Sequence, residues 1–408
     1  MTRVDPSVGF DPRKSSDGFD PRILFFLKGF GPGGVERIAL RLADGLRRKG
    51  LDIAILVGAE AGPMERPSGH YLVARSWPVI GMRGSMARLV ATLGRQLRFA
   101  PPALLFCPGN AYTIIPVLLK LLLGAACPPI VAKISNDLYR QDLPRAIRPL
   151  YRVWLRMQGR AIDHFAVLSA PMGAEVKAFM RVASHRIHVV PNPVLDDFDL
   201  EPNLDQRRPV GLGRRFVAVG RLERQKDYPA MLRAFAAGAR PHDRLTIFGE
   251  GSDRDALVDL AASLGLADRV DLPGHCRDVR ARLRDHDVLL LSSRYEGQPG
   301  AVVEALSVGL GIIATRCCAG MSDLLDHGAL GTLVECGDDS GFARAIAEAE
   351  PDMQDRARAK ARVRDCTIEA AVPAYAALFA VVIAERQACD SISRKTSFFR
   401  PGANAKPV

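Results

Sequence analysis

Two glutamates, Glu296 and Glu304, stand just beyond an apolar run in a stretch that reads S-S-R-Y-E-G-Q-P-G-A-V-V-E-A-L-S-V-G-L-G from Ser292 to Gly311. The run itself is Val288 to Leu291. An apolar strand, a turn with glycines and then a helix is the layout that makes a ligand site at the end of a parallel sheet. A helix starting near Gly300 offers unpaired N–H groups to an anion, and Gly297 and Gly300 keep side chains out of its way. A carboxylate is repelled by that same anion. Glu296 and Glu304 therefore suit neutral donors on either side of it, namely hydroxyl groups: a ribose on one flank and a sugar on the other would fit. The plainer alternative is two surface glutamates.

A second group, V-G-R-L-E-R-Q-K-D from Val219 to Asp227, follows another apolar run. Arg221 and Lys226 leave the carboxyl end of a strand and suit a pyrophosphate, Arg as a fork and Lys as a point charge. Arg224 competes for the role, and solvated loop charges are the alternative. A glycine loop from Gly29 to Gly34, with Glu36, opens the first helix. It differs from G-x-G-x-x-G, and only Glu60 lies near where a dinucleotide site would need an acid. It reads as a loop whose backbone approaches a ligand, or as a plain tight turn. I-F-G-E-G, Ile247 to Gly251, is a weaker signal of the same kind. In D-L-P-G-H, Asp271 to His275, backbone around Pro273 and Gly274 could face a nucleobase, while His275 reads as a loop histidine.

These loops need strands and helices behind them. Apolar runs at 23–27, 53–57, 103–106, 130–134, 165–168 and 188–190 alternate with helical patterns, among them 113–123 and a long region ending near Arg160. A second set follows: strands at 216–219, 245–248, 270–272, 288–291, 311–314 and 333–334, with helices at 228–237, 253–264, 279–285 and from Ser340 onward. Each set suffices for its own open parallel sheet. The fold class is α/β, two Rossmann-like doubly wound domains facing across a cleft. The expected division is a disordered leader at 1–21, a first domain at 22–195, a linker at 196–213, a second domain at 214–369, a helix at 370–388 crossing back to the first domain, and a disordered tail at 389–408.

Bulk properties agree with two globular domains: 408 residues, 48% hydrophobic and 25% charged. The net charge of +11 favours an anionic partner without naming one. Eight scattered cysteines with no C-x-x-C are the usage of a reducing compartment and give little support to zinc. The N-terminal residues lack the apolar segment of a signal peptide. The most apolar segment, Ile114 to Leu123, falls short of the roughly 20 residues that span a bilayer, and reads as a buried helix. A cytoplasmic protein is expected.

The chain resembles the retaining glycosyltransferases of family 4, the group 1 glycosyl transferases, with the GT-B fold. The likeness runs over about 23–385. It rests on G-G-V-E at Gly33 to Glu36, V-G-R-L-x-x-Q-K-D at Val219 to Asp227, G-E-G at Gly249 to Gly251, and S-x-Y-E-G-x-P-x-x-x-x-E-A-L-x-x-G from Ser293 to Gly309. The last form looks closest to bacterial enzymes of surface-polysaccharide and lipid-linked glycan assembly. The resemblance implies that Arg221 and Lys226 bind the diphosphate of a UDP- or GDP-sugar. Glu304 would hold the ribose and Glu296 the transferred sugar. Gly297, Pro299, Gly300 and Ala301 would line the phosphates or sugar, as would Gly33, Gly34, Gly249 and Glu250 the rest of the donor site. Catalysis would be electrostatic, through Glu296, Arg221 and Lys226, with no metal and no cofactor. The sequence departs from the family pattern at Gln298, usually aromatic, which bears on sugar contacts, and at Gly311, usually Pro. Where many relatives carry a histidine, this chain reads K-I-S-N-D. Asn136 would position, and Asp137 or Lys133 would contact substrate.

Between Arg140 and Arg160 lie six arginines and one acid. Arg148, Arg152, Arg156 and Arg160 repeat on one helical face, which suits either an anionic membrane surface carrying a lipid-linked acceptor or simple solvation. The protein would then sit at the inner face of the cytoplasmic membrane. A GT-B nucleotide-sugar epimerase and a non-catalytic nucleotide-sugar-binding scaffold are the competing readings. No basic, aromatic-rich stretch supports a nucleic-acid partner.

Overall fold

Alternate residues of the apolar runs feed two different cores, which is why few of their positions are polar. In β1 (Ile23–Leu27), Leu24 and Phe26 join one cluster while Ile23, Phe25 and Leu27 join the cluster on the opposite face. The computed structural model describes residues 23–398 apart from 32, 63, 65–70, 75–84, 141–142, 197–199, 201–212, 277 and 351–354. The expected leader at 1–21 and most of the expected linker lie outside the described residues.

The first sheet adds β2 (Ile53–Val57), β3 (Tyr71–Val73), β4 (Leu104–Cys107), β5 (Ile130–Ile134), β6 (His164–Val167) and β7 (Ile187–Val189), in the order β3-β2-β1-β4-β5-β6-β7. The second contains β8 (Arg215–Val219), β9 (Arg244–Phe248), β10 (Val270–Gly274), β11 (Val288–Leu291), β12 (Gly311–Thr315) and β13 (Thr332–Val334), in the order β10-β9-β8-β11-β12-β13. All pairings within both sheets are parallel. Both are doubly wound, and strand order reverses between β1 and β4 and between β8 and β11. Ligands of such sheets bind outside the carboxyl ends at that reversal.

Several elements escaped the sequence reading, the helix Ala170–Met180 among them. β3 is short and largely exposed, and the helix Ser85–Phe99 follows a stretch broken by Pro78, Gly81 and Gly84. The helical region expected up to Arg160 is a helix only from Arg148 to Ala161. The helix Ile114–Leu123 is buried on one side alone, through Ile115, Pro116, Val117 and Leu119. Ile114, Leu118, Leu121 and Leu122 are exposed, so it is not the buried helix its composition suggests.

The chain crosses between domains twice, and the crossings pair with each other. Leu195 N–H and Val194 N–H donate to the Cys366 carbonyl, and Ile368 N–H returns to the Leu195 carbonyl. The final helix runs Ile368–Phe398. It starts two residues before the expected boundary, and residues 389–398 are helical where a disordered tail was expected; 399–408 lie outside the described residues. By length and composition its stretch Ile368–Ser391 could cross a membrane. Here Tyr375, Leu378, Phe379 and Val382 instead complete the first domain's core, with the Phe379 ring 6.2 Å from Phe25 and 5.4 Å from Phe106.

Gly45, on the helix Gly34–Arg48, lets this last helix come close: a Cβ there would lie 3.1 Å from Ile368 Cγ1 and still nearer Val372. Gly45→Leu should therefore destabilise the fold by about 1–3 kcal/mol through overpacking. A urea midpoint equal to that of the unaltered protein would show that the helix is not seated there.

Candidate active site

The carboxyl ends of the two sheets meet backbone to backbone. Asn136, just past β5, forms an antiparallel bridge with Gly297, just past β11, and Asp137 N–H donates to the Glu296 carbonyl at 3.1 Å. A Cβ on Gly297 would overlap the carbonyl of Ser135. Only glycine permits this approach, so Gly297 has a packing reason beyond keeping a ligand path clear. Asn110, after β4, holds the opposing loop. Its Oδ1 accepts from Ser135 N–H at 2.7 Å and Asn136 N–H at 3.2 Å, and its Nδ2 donates to the Asn136 carbonyl. Asn136 meets the second domain through its backbone.

Glu296 is buried at this contact. Its Oε1 accepts from Lys226 Nζ at 2.7 Å and Ser293 Oγ at 2.9 Å, and its N–H donates to the Cys317 carbonyl. Lys226 reaches it from the turn after β8, where Asp227 takes a left-handed conformation, φ 50°, and starts the helix Tyr228–Gly238. The two cations expected to share one role are therefore placed differently. Arg221 is exposed and bonds Glu223 at 2.8 Å. Gly220, Gly249 and Gly251 bring the β8 and β9 loops together: a Cβ on Gly249 would overlap the Gly220 carbonyl, and one on Gly251 the Leu222 carbonyl. Glu250 is exposed and paired with Arg254, and its backbone carbonyl accepts from Leu222 N–H. Gly274, at φ 89°, ends β10 and packs against the Glu250 carboxylate, with Pro273 exposed beside it.

The helix Gly300–Ser307 follows Pro299 and has no side-chain cap. Its buried Glu304 accepts from Arg37 Nη2 at 3.1 Å, across the domain boundary. Burial pushes the Glu304 carboxyl above its usual range, and Arg37, Arg41 and Arg280 pull it back. Arg37 belongs to the helix Gly34–Arg48, which starts at the first glycine loop and also lacks a side-chain cap. A Cβ on Gly34 would meet nothing within 4 Å, whereas one on Gly33 would collide with the Glu36 carboxylate. Glu36 is fixed by Tyr112, whose hydroxyl donates to it at 2.6 Å and accepts from Lys28 N–H.

Three expectations change. Lys133 is buried on β5 with Nζ on Asn192 Oδ1 at 2.7 Å, so it is held inside the first domain instead of contacting substrate. Gln298 turns its Nε2 toward Cys366 Sγ, 3.6 Å away on the returning crossing, instead of lining a sugar pocket. Asp137 bridges the domains, accepting from Ala319 N–H at 2.8 Å. Sequence reading missed Arg37, Asn110, Tyr112 and Ser293. Arg37 adjoins a quoted motif, but its partner is 267 positions away. Asn110 and Tyr112 lie on a turn without a pattern of its own.

Two family models match this chain: residues 205–365 match "Glycosyl transferases group 1" and residues 32–198 match "Glycosyltransferase Family 4". The lipopolysaccharide core biosynthesis glycosyltransferase LpsE of Rhizobium meliloti is 31% identical over 169 residues, 40% of this chain and 49% of its own. An alpha-1,4-N-acetyl-D-galactosaminyltransferase of Campylobacter jejuni, whose name specifies a PP-undecaprenol-linked glycan, is 25% identical over 55% of this chain and 59% of its own. The chain thus spans about half the length of these curated relatives. Among solved structures, Anabaena HepE in complex with UDP and glucose is similar in fold, with a TM-score of 0.64 and 19% identity over 91% of this chain and 99% of that one.

Burial first, then the charges of Glu175 and Glu296, push the Asp137 carboxyl from 3.8 up to about 7. The folded protein therefore holds a proton that the unfolded chain has released, and stability falls as pH rises between those values. Asp137→Asn should remove this loss, so that from about pH 4 to about pH 8 the parent loses about 2–4 kcal/mol more stability than the variant. Parallel pH–stability curves would refute the assignment.

Proposed function

The chain belongs to the group 1, family 4 glycosyltransferases and has their GT-B fold, and on that premise we propose that it transfers a sugar from a UDP- or GDP-sugar to a lipid-linked glycan during cell-surface polysaccharide assembly, with retention at the anomeric carbon. The observation that carries this reading is the Lys226–Glu296 pair at the β8–β11 reversal, beside the uncapped helix Gly300–Ser307. Lys226 and the first N–H groups of that helix are placed to stabilise a diphosphate. Arg221, at the mouth of the same loop, reaches it by leaving Glu223. Glu296, held by Lys226 and Ser293, orients sugar hydroxyls, and Glu304 takes the ribose.

In the transfer, the bond between the anomeric carbon and the β-phosphate oxygen breaks, and its electron pair stays on that oxygen. The acceptor hydroxyl oxygen bonds to the anomeric carbon, and the hydroxyl proton passes to the departing diphosphate. Loss of one preorganised charge partner at such a site lowers turnover by about 10²–10³-fold, and Lys226→Ala should do so in a donor-turnover assay. An unaltered protein that binds no nucleotide or nucleotide sugar in a thermal-shift screen would sink the reading.

The acceptor side has a surface suited to a lipid bilayer. On the helix Arg148–Ala161, Leu155, Gln158 and Gly159 face inward while Leu150, Val153 and Met157 are exposed. Arg152 and Arg160 are exposed with them; Arg148 and Arg156 are half-buried, and Arg148 Nε bonds the Leu143 carbonyl. The neighbouring helix Ile114–Leu123 adds exposed Leu118, Leu121 and Leu122. Aliphatic side chains flanked by arginine match an anionic bilayer better than water. Each arginine near such a surface is worth about 1 kcal/mol, so changing all four to glutamine should weaken co-sedimentation with phosphatidylserine-containing vesicles by at least about tenfold. Equal sedimentation of both proteins would exclude this surface as the docking face.

A further inference from the structure

The Arg37–Glu304 contact joins two uncapped helices near their starts, one from each domain. Arg37 is the fourth residue of the helix Gly34–Arg48, and Glu304 the fifth of the helix Gly300–Ser307. The guanidinium also overlies the start of the second helix: its Nη2 lies 3.8 Å from where a Cβ on Gly300 would be. The pair is lopsided in exposure, with the Arg37 side chain 40% exposed and that of Glu304 only 9%. Arg37 thus holds Oε1 of the carboxylate that the donor reading gives to ribose, and a ribose hydroxyl that takes Oε1 must displace it.

The next cation along that helix is already committed. Arg41 donates to the Val194 carbonyl at 3.0 Å and pairs with Asp196 at 2.5 Å, both on the outgoing crossing. Arg37 has no such tie to the crossing; its partner is the site carboxylate itself. A cation near a helix N-terminus opposes the helix dipole. Two helix starts and one arginine therefore converge where only an anion or a carboxylate relieves the charge.

Resting on the donor reading above, we propose that Arg37 is a catalytic residue from the acceptor domain: ribose hydroxyls displace it from Glu304, and it turns onto the donor diphosphate. It then joins Lys226 in stabilising the electron pair left on the β-phosphate oxygen. Donor binding and approach of the domains are coupled through this one side chain, because the diphosphate replaces Glu304 as its partner. The exchange also explains why a buried carboxylate is tolerated here: it always has either a cation or hydroxyl donors.

The test compares UDP and GDP with uridine and guanosine by calorimetry on the full chain, together with donor turnover, for the unaltered protein, Arg37→Ala and Arg37→Lys. In Arg37→Ala, turnover should fall by about 10²-fold and diphosphate affinity should fall, while nucleoside affinity holds or rises because Glu304 is uncovered. Arg37→Lys should recover part of the turnover. An unchanged ratio of diphosphate to nucleoside affinity in Arg37→Ala, with only a lower melting temperature, would make Arg37 a structural ion pair and overturn the proposal. Failure of the unaltered protein to bind any of the four compounds would overturn the donor reading itself, and the proposal with it.

Discussion

The approach of Gly297 to the Ser135–Asn136 backbone is the constraint on which the arrangement of the cleft depends. It needs a position with no side chain, and a rigid loop opposite, which Asn110 supplies through one carboxamide. Once those backbones touch, neighbouring contacts are set by chain geometry. Glu296 precedes Gly297 and must lie at the boundary; Asp137 follows Asn136 and reaches the β12 loop at Ala319. Tyr295, one residue further back, receives the Arg140 guanidinium over its ring at 4.1 Å. One close approach thus places an acid, a cation and an aromatic ring from two domains around a common wall.

Three carboxyl groups, of Asp137, Glu296 and Glu304, are buried within this region, and the protein treats each differently. Glu296 has a lysine and a hydroxyl, Glu304 an arginine, and Asp137 a backbone N–H without a cation. That difference accounts for the large upward displacement of Asp137, since desolvation there meets only one weak compensating donor. The buried Lys133 shows the opposite case. With Asn192 as its hydrogen-bond partner and no carboxylate, burial brings its amine down to about 7.

Much of the architecture was legible because parallel strands buried on both faces leave unbroken apolar runs. The positions of β1, β2, β5, β8 and β11 can be read from composition alone, and so can the glycine-marked loops after them. Strand order cannot be read in that way, and β3 was missed because Tyr71–Val73 is a short edge strand with little burial. Within the site, Glu296 and Lys226 stand in local patterns, but that they pair with each other is seen only in the structure. Arg37 and Tyr112 do not, because their roles arise only when segments far apart in sequence pack together. Gln298 misled for a related reason: the motif position says sugar, but the returning crossing at Cys366 lies within reach of its amide.

The joints of the molecule differ in strength. Across the cleft, the bond from Asp137 N–H to the Glu296 carbonyl and the bond from Ala319 N–H to the Asp137 carboxyl are worth about 1 kcal/mol each. Arg37–Glu304, half exposed on one side, adds no more than about 1 kcal/mol after solvent screening. The final helix, by contrast, buries Tyr375, Leu378, Phe379 and Val382, each contributing about 1.5–3 kcal/mol relative to exposure. The helix is therefore the most firmly seated of these joints, and the paired crossings at Val194–Leu195 and Cys366–Ile368 join it to the second domain. A closure of a few kcal/mol lies within what a ligand's differential affinity for two states can supply. Polar contacts at the cleft, joined by Ile38 buried in the second domain's core cluster, thus stand against a larger apolar seam behind it.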